Sequence, residues 1–179
     1  AEMHRETQEQ YGLDHDNFIG KTIQKNNLEL DGLVFFREHR IRFQQELARK
    51  TRGLPKSIDK RLDLFCEKLG SLLDLNDEKP ALLHGDLWSG NYFASHDQTP
   101  YIFDPAVYFG LREADLAMTE MFGRLPQEFY STYQEVFPTQ PGYTERKDIY
   151  NLYHLLNHYN LFGGSYLEQA DQTVRSFLD

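Results

Sequence analysis

Cysteine is nearly missing from this chain. Cys66 is the one thiol among 179 residues, which excludes an internal disulfide and a cysteine-rich zinc site. Its neighbours Leu62, Phe65 and Leu69 place it on an apolar helix face, where a thiol acts as a small hydrophobe. Long apolar runs are missing too. The longest, such as Leu33–Phe36, fall far short of the roughly 20 residues that a membrane-spanning helix needs. The opening AEMHRETQEQ is polar and carries no secretory pattern, so cytoplasmic residence is the expectation. Positive charge is scarce: 19 Lys+Arg against 28 Asp+Glu gives 19 − 28 = −9. Such a chain repels a nucleic-acid backbone unless a local basic stripe compensates. The richest basic stretch, Arg37–Arg52, is interrupted by Glu38 and Glu46 and reads as the wet face of a helix. Neither a nucleic acid nor a membrane is therefore an expected partner, whereas a substrate carrying an amine would find the field favourable.

What is present suits one folded domain, residues 1–179, with a single core. The stretch up to Gly12 reads as a short helix and DHDNFIG after it as a loop. Leu33, Phe36, Arg40, Phe43 and Leu47 recur at steps of 3, 4, 3 and 4, which predicts a helix capped by Asp31. Arg40 is expected along the edge of that stripe with its stem buried, and Gly53 and Pro55 end the segment. Leu62, Phe65, Leu69, Leu72 and Leu73 mark a second helix. Between Pro80 and Asp104 the pattern changes to short apolar runs, ALLH, NYFAS and YIFD, around polar turns, which predicts a β-hairpin. Helices follow near 112–122, from Pro126 and over 144–162. Gly163 and Gly164 stop the last of these in left-handed geometry. Ser165 and Glu168 predict a capping box for a final helix. The expected fold class is mainly α with a small β-hairpin, an α+β arrangement.

Reactive side chains crowd into the hairpin region. HGDLWSGN occupies 84–91 and IFDP occupies 102–105, so Asn91 follows Asp86 by five positions and Asp104 follows Asn91 by thirteen. Phosphoryl transfer needs a carboxylate to orient the attacking hydroxyl and take its proton, together with oxygen ligands for magnesium. On that reading Asp86 is the base, Asn91 and Asp104 hold the metal, and His84 orients the loop through hydrogen bonds. Trp88, two residues past the base, walls an acceptor pocket or packs beneath the loop. Taken singly, Asp86 and Asn91 also fit ordinary turns, Asp104 fits a strand end before proline, and His84 fits a core histidine; the set at this spacing carries the reading.

HGDLWSGN, FDPAVYFGLREADLAMTEMFG and LYHLLNHYNLFGGSYL resemble the fructosamine kinase (ketosamine 3-kinase) family, a branch of the aminoglycoside-phosphotransferase and protein-kinase-like superfamily. The likeness covers most of the chain, from DNFIG onward. It implies the carboxy-terminal lobe of a kinase-like fold. It also implies transfer of the γ-phosphoryl of ATP, with Mg2+, to the 3-hydroxyl of a ketosamine, leading to protein or amine deglycation. Asp86 then becomes the base, Asn91 and Asp104 the magnesium ligands, and Asp115 in READLAM the aspartate that braces the catalytic loop. Without the resemblance, Asp115 is an early-helix carboxylate favoured by the helix dipole. Members of this family usually carry a proline where this chain has Ile23, with a tryptophan soon after, which implies a changed acceptor side.

The glycine-rich lid and paired lysine that hold nucleotide phosphates in kinases have no counterpart here: there is no G-x-G and no V-A-I-K-like strand. An amino-terminal lobe missing from this chain is the expectation, with weak or no turnover by residues 1–179 alone. Two other classes compete. A metal-dependent phosphoesterase would want a D-x-H upstream of His84 and a histidine directly after Asn91, where this chain has Tyr92. A non-catalytic interaction module would not need Asp86, Asn91 and Asp104 intact. Aminoglycoside, choline and homoserine kinases are the alternatives within the kinase class.

Overall fold

The computed structural model describes residues 1–73, 75 and 78–178. Its longest helix, α7 (Tyr143–Phe162), runs through the middle of the core, with Ile149, Leu152 and Leu156 fully buried on one stripe. Each such side chain contributes about 1.5–3 kcal/mol relative to exposure. Helix α5 (Glu113–Met121) and helix α8 (Tyr166–Leu178) pack on α7, and α8 also covers α4 (Lys56–Leu72), where Phe65 meets Phe177 edge-on. Helix α6 (Gln127–Val136) starts directly after Pro126, a position where a missing N–H costs nothing. Gly163 and Gly164 take φ of 71° and 66° and end α7 as expected. Among the described residues, no helix is long and apolar enough to cross a membrane.

Three small antiparallel pairs are set into this helical body. Strand β1 (Asn17–Ile19) pairs with β2 (Thr22–Gln24), β3 (Ala81–Leu83) with β6 (Tyr108–Gly110), and β4 (Tyr92–Ala94) with β5 (Pro100–Ile102). The predicted hairpin is β4–β5. The β3–β6 pair joins the strand entering the 84–91 loop to the chain leaving Asp104, so the two segments are clamped at their roots.

Four local expectations need correction. The amino-terminal helix, α1, spans only Glu2–Arg5. The chain then runs extended, with Thr7 bridging Ala81 and Gly12 bridging Phe109 along the edges of β3 and β6. DHDNFIG is not all loop, because its last residues form β1.

The third correction concerns the helix after Asp31. The Asp31 carboxylate does accept the Leu33 and Val34 amides. Beyond α2 (Gly32–Phe35), however, the chain makes a π-helical segment, Phe36–Arg42, before α3 (Phe43–Thr51). A wider turn shifts the helical phase. The buried face becomes Phe35, Phe36, Arg40, Ile41, Gln44, Gln45 and Ala48, while Leu33, Phe43 and Leu47 are only half-buried. Arg40 is therefore wholly enclosed, not on an edge. Its guanidinium lies 3.9 Å from the centre of the Tyr108 ring and 4.6 Å from that of Phe35, and it donates to Asn26 Oδ1 at 3.0 Å. Cation–π contact and carbonyl acceptors replace water around it.

Lastly, the Ser165 hydroxyl engages the Gln169 side chain at 3.3 Å, and the Ser165–Glu168 capping box does not form among the described residues.

Candidate active site

The loop after β3 is built by a glycine, a histidine and a buried carboxylate. Gly85 has φ +80°, and a Cβ there would lie 2.0 Å from the Ala106 carbonyl oxygen; only glycine permits this approach of two backbones. His84 is buried and spans the loop. Its Nε2 donates to the Phe103 carbonyl at 3.0 Å, and its Nδ1 accepts the Asp86 amide at 3.3 Å. From the first turn of α5, Asp115 accepts the His84 amide on Oδ2 at 2.7 Å and the Gly85 amide on Oδ1 at 2.8 Å. Burial opposes ionisation of Asp115, but the His4 side chain and these two amides outweigh it and hold the carboxyl below the ordinary carboxylate range.

Asp86 and Asn91 face each other across a short 3-10 turn, Ser89–Asn91. The buried Asn91 amide donates to the Asp86 carbonyl at 2.9 Å, to Asp86 Oδ2 at 3.3 Å and to the Asp104 carbonyl at 3.4 Å. Phe103, just before Asp104, in turn donates its amide to the Asn91 carbonyl at 3.1 Å. Asp104 stands beyond β5 at φ +56°, a left-handed conformation that aspartate tolerates better than most residues. Burial, with the neighbouring Asp104 charge, pushes the half-buried Asp86 carboxyl up to about 6, against the opposing Asn91 hydrogen bond.

That donor set fits a hard divalent cation. Asn91 uses its nitrogen inside the loop, and its Oδ1 and the exposed Asp104 carboxylate take no hydrogen bond among the described residues. The Asp104 charge makes ionisation of Asp86 costlier, a burden that a cation would relieve. Among the described residues no group of three or more His, Cys, Asp or Glu could hold a metal, so a site here would combine one or two carboxylates with other oxygen donors, of which Asn91 Oδ1 is one within the loop.

Two aromatic surfaces adjoin these residues in the chain. Next to Asp86, Trp88 meets Phe122 edge-on at 6.3 Å; Phe122 lies 4.8 Å from His158, and His158 lies 5.0 Å from Tyr166. Ser89 ties this side to α5 by donating to the Phe122 carbonyl. His158 Nδ1 donates to the His154 carbonyl at 2.8 Å, and burial lowers its pKa in spite of that bond, so the ring favours its neutral form. Next to Asp104, the β4–β5 hairpin exposes Phe93, stacked on Tyr101 at 5.2 Å and 5.9 Å from Phe103.

The predicted site residues thus fall into three places. Asp86, Asn91 and Asp104 converge, His84 and Asp115 lie beneath them, and Trp88 is 37% exposed beside them. Ile23 is exposed on β2 opposite Phe18, and its neighbour Gln24 donates to the Ala106 carbonyl, two residues past Asp104. Sequence reasoning missed Phe122, His158, Tyr166 and Phe93. The alternation in NYFAS and YIFD held a signal for the last of these, because Phe93, Tyr101 and Phe103 share a hairpin face.

A model described as Fructosamine kinase matches residues 1–179. A protein from Vibrio parahaemolyticus named Probable ketoamine kinase is 48% identical over 179 residues, covering 99% of this chain and 60% of that protein. A chloroplastic protein-ribulosamine 3-kinase of Oryza sativa is 43% identical over 180 residues, covering 99% of this chain and 52% of that protein. The crystal structure of a provisionally named fructosamine-3-kinase from Thermobifida fusca superposes with a TM-score of 0.90 at 32% identity, covering 98% of this chain and 60% of that one. The chain thus spans about three-fifths of the length of the bacterial relatives it matches. On its motifs, its fold and these matches together, the chain belongs to the fructosamine kinase family.

Proposed function

We propose that the protein transfers the γ-phosphoryl group of ATP to the 3-hydroxyl of a ketosamine, and that residues 1–179 form one kinase-like domain carrying the acceptor and metal side of the reaction. The observation that carries this reading is the convergence of Asp86, Asn91 and Asp104 at the mouth of one hydrogen-bonded loop. The acceptor oxygen attacks the γ-phosphorus, the bond from that phosphorus to the bridging oxygen of ADP breaks, and the hydroxyl proton passes to Asp86. Asn91 Oδ1 and the Asp104 carboxylate would hold magnesium, which when bound neutralises charge on the phosphate oxygens. The exposed Phe93–Tyr101–Phe103 face, which runs into Asp104, suits a purine ring. The Trp88–Phe122–His158 wall, which begins two residues past Asp86, suits a sugar. Decomposition of the phosphorylated adduct would then release the free amine, a deglycation.

A glycine-rich lid and its lysine are not found in this sequence, and the relatives are longer. The 179-residue polypeptide alone is therefore expected to turn over poorly. The reading is tested by incubating the full-length protein with magnesium-ATP and a fructosyl-amine and following the sugar phosphate by phosphorus NMR. Ester formation is expected, with a fall of ~10²-fold or more in Asp86→Asn. No transfer to any ketosamine, or a variant as fast as the parent, would overturn it.

A further inference from the structure

His4 lies 111 residues from Asp115 in sequence, yet the two are joined at the bottom of the catalytic loop. The imidazole is 3% exposed. Its Nε2 is 3.1 Å from Asp115 Oδ2, the same oxygen that accepts the His84 amide, and its Nδ1 is 2.8 Å from the Tyr133 hydroxyl. Tyr133 in turn lies 3.3 Å from Arg112 Nη1, and Arg112 is paired with Glu78. Donors and acceptors match along this line with one tautomer. Arg112 donates to the Tyr133 oxygen, the Tyr133 hydroxyl donates to His4 Nδ1, and His4 Nε2–H donates to Asp115. The His4 and Tyr133 rings meet edge-on, which leaves little rotational freedom.

We infer that His4 is a positioning residue of the phosphotransfer site, acting through Asp115 on the His84 and Gly85 amides and so on the placement of Asp86. Asp115 Oδ2 serves two donors, one from the loop and one from α1. Without His4 the carboxylate loses a partner in an enclosed site, where an unmet acceptor is costly, and its rotamer is free to swing away from the loop amides. A base displaced by about an ångström loses much of its advantage. The amino-terminal segment is well placed for this task. Just after α1, the Glu6 carbonyl accepts the Leu82 amide and Thr7 bridges Ala81, so the helix carrying His4 is stitched to the strand that feeds the loop.

This inference rests on the phosphotransfer reading for its kinetic arm only. The test compares the full-length protein with His4→Ala, His4→Gln and Tyr133→Phe, measuring turnover, KM and hydrogen exchange in peptides covering 81–91 and 146–157. For His4→Ala we expect kcat to fall about tenfold or more, with KM for ATP and acceptor within twofold. Exchange should rise at 84–86 while α7 remains protected. His4→Gln, whose amide can donate to Asp115, should recover most of both effects, and Tyr133→Phe should show a smaller loss of each. Unchanged exchange at 84–86 in His4→Ala would overturn the inference whatever the protein phosphorylates. So would an equal loss of protection across α7, or no recovery in His4→Gln, since either marks His4 as structural. Failure of the parent protein to phosphorylate any ketosamine would instead count against the function alone, because the exchange arm needs no turnover.

Discussion

The helical body and the loop face treat charge in opposite ways. In the body, Glu113 is wholly buried, yet its oxygens take two 2.8 Å bonds from Arg146, one from the Gln140 amide at 2.9 Å and one from Tyr150. Arg112 is treated similarly, with Glu78, Tyr133 and two carbonyls around it. At the loop face, Asp86 and Asp104 stand near each other and make no ion pair with Lys, Arg or His among the described residues, Asp104 adopts a left-handed backbone, and Phe93, Tyr101 and Phe103 face solvent. Satisfied charge marks structure. Unsatisfied charge beside open aromatic surface marks a place that awaits a ligand.

Removing one side of a buried pair gives the largest expected effect. Glu113→Ala leaves Arg146 enclosed and unpaired, so unfolding stability should fall by about 3–5 kcal/mol, read by urea denaturation. A loss under 1 kcal/mol would erase the distinction between body and face. At the face the reverse is expected. Asp104→Asn removes a charge that burdens Asp86, so stability should hold or rise slightly. The magnesium concentration for half-maximal turnover should increase about tenfold in the full-length protein. An unchanged magnesium titration would remove Asp104 from the metal site.

The effect that is smallest at neutral pH, and grows as the solution is acidified, concerns His154, a buried group of the body. Burial, with help from His158 and Arg40 and against the pull of Asp115, lowers its pKa to about 3. Its ordinary value is about 6.5. Below that value the unfolded chain binds a proton that the folded chain refuses, so stability is lost as pH falls from about 6.5 toward 3. His154→Gln should flatten that part of the pH–stability curve. An identical slope in both proteins would show that His154 is not the group responsible.

Legibility followed the length of the signal. Helices α4 and α7 were readable because several turns of apolar residues repeat at helical spacing, and Pro126, Gly163 and Gly164 fall where backbone chemistry demands a start or a stop. The β4–β5 hairpin was readable from two apolar runs around HDQTP. Strands β1 and β6 are no shorter than β4 and β5, at three residues each, but β1 follows directly on the polar DHD and β6 runs on from the turn at Pro105 without a break, so neither stands out as one of two apolar runs around a polar turn. Arg40 was misplaced for a different reason. A π segment changes the angular step inside one helix, and no residue from 36 to 42 announces it in a reading based on 3.6 residues per turn.

Residue type and spacing were enough to single out His84, Asp86, Asn91 and Asp104, because oxygen donors at such intervals have a chemistry of their own, and Asp115 followed from its motif. They could not supply His4, whose imidazole reaches Asp115 across 111 residues, or the ring wall that runs from Trp88 through Phe122 to His158. Those contacts lie between segments remote in the chain. They exist because burying the stripes of α5, α7 and α8 brings the segments together, and no local pattern records which distant side chains then meet.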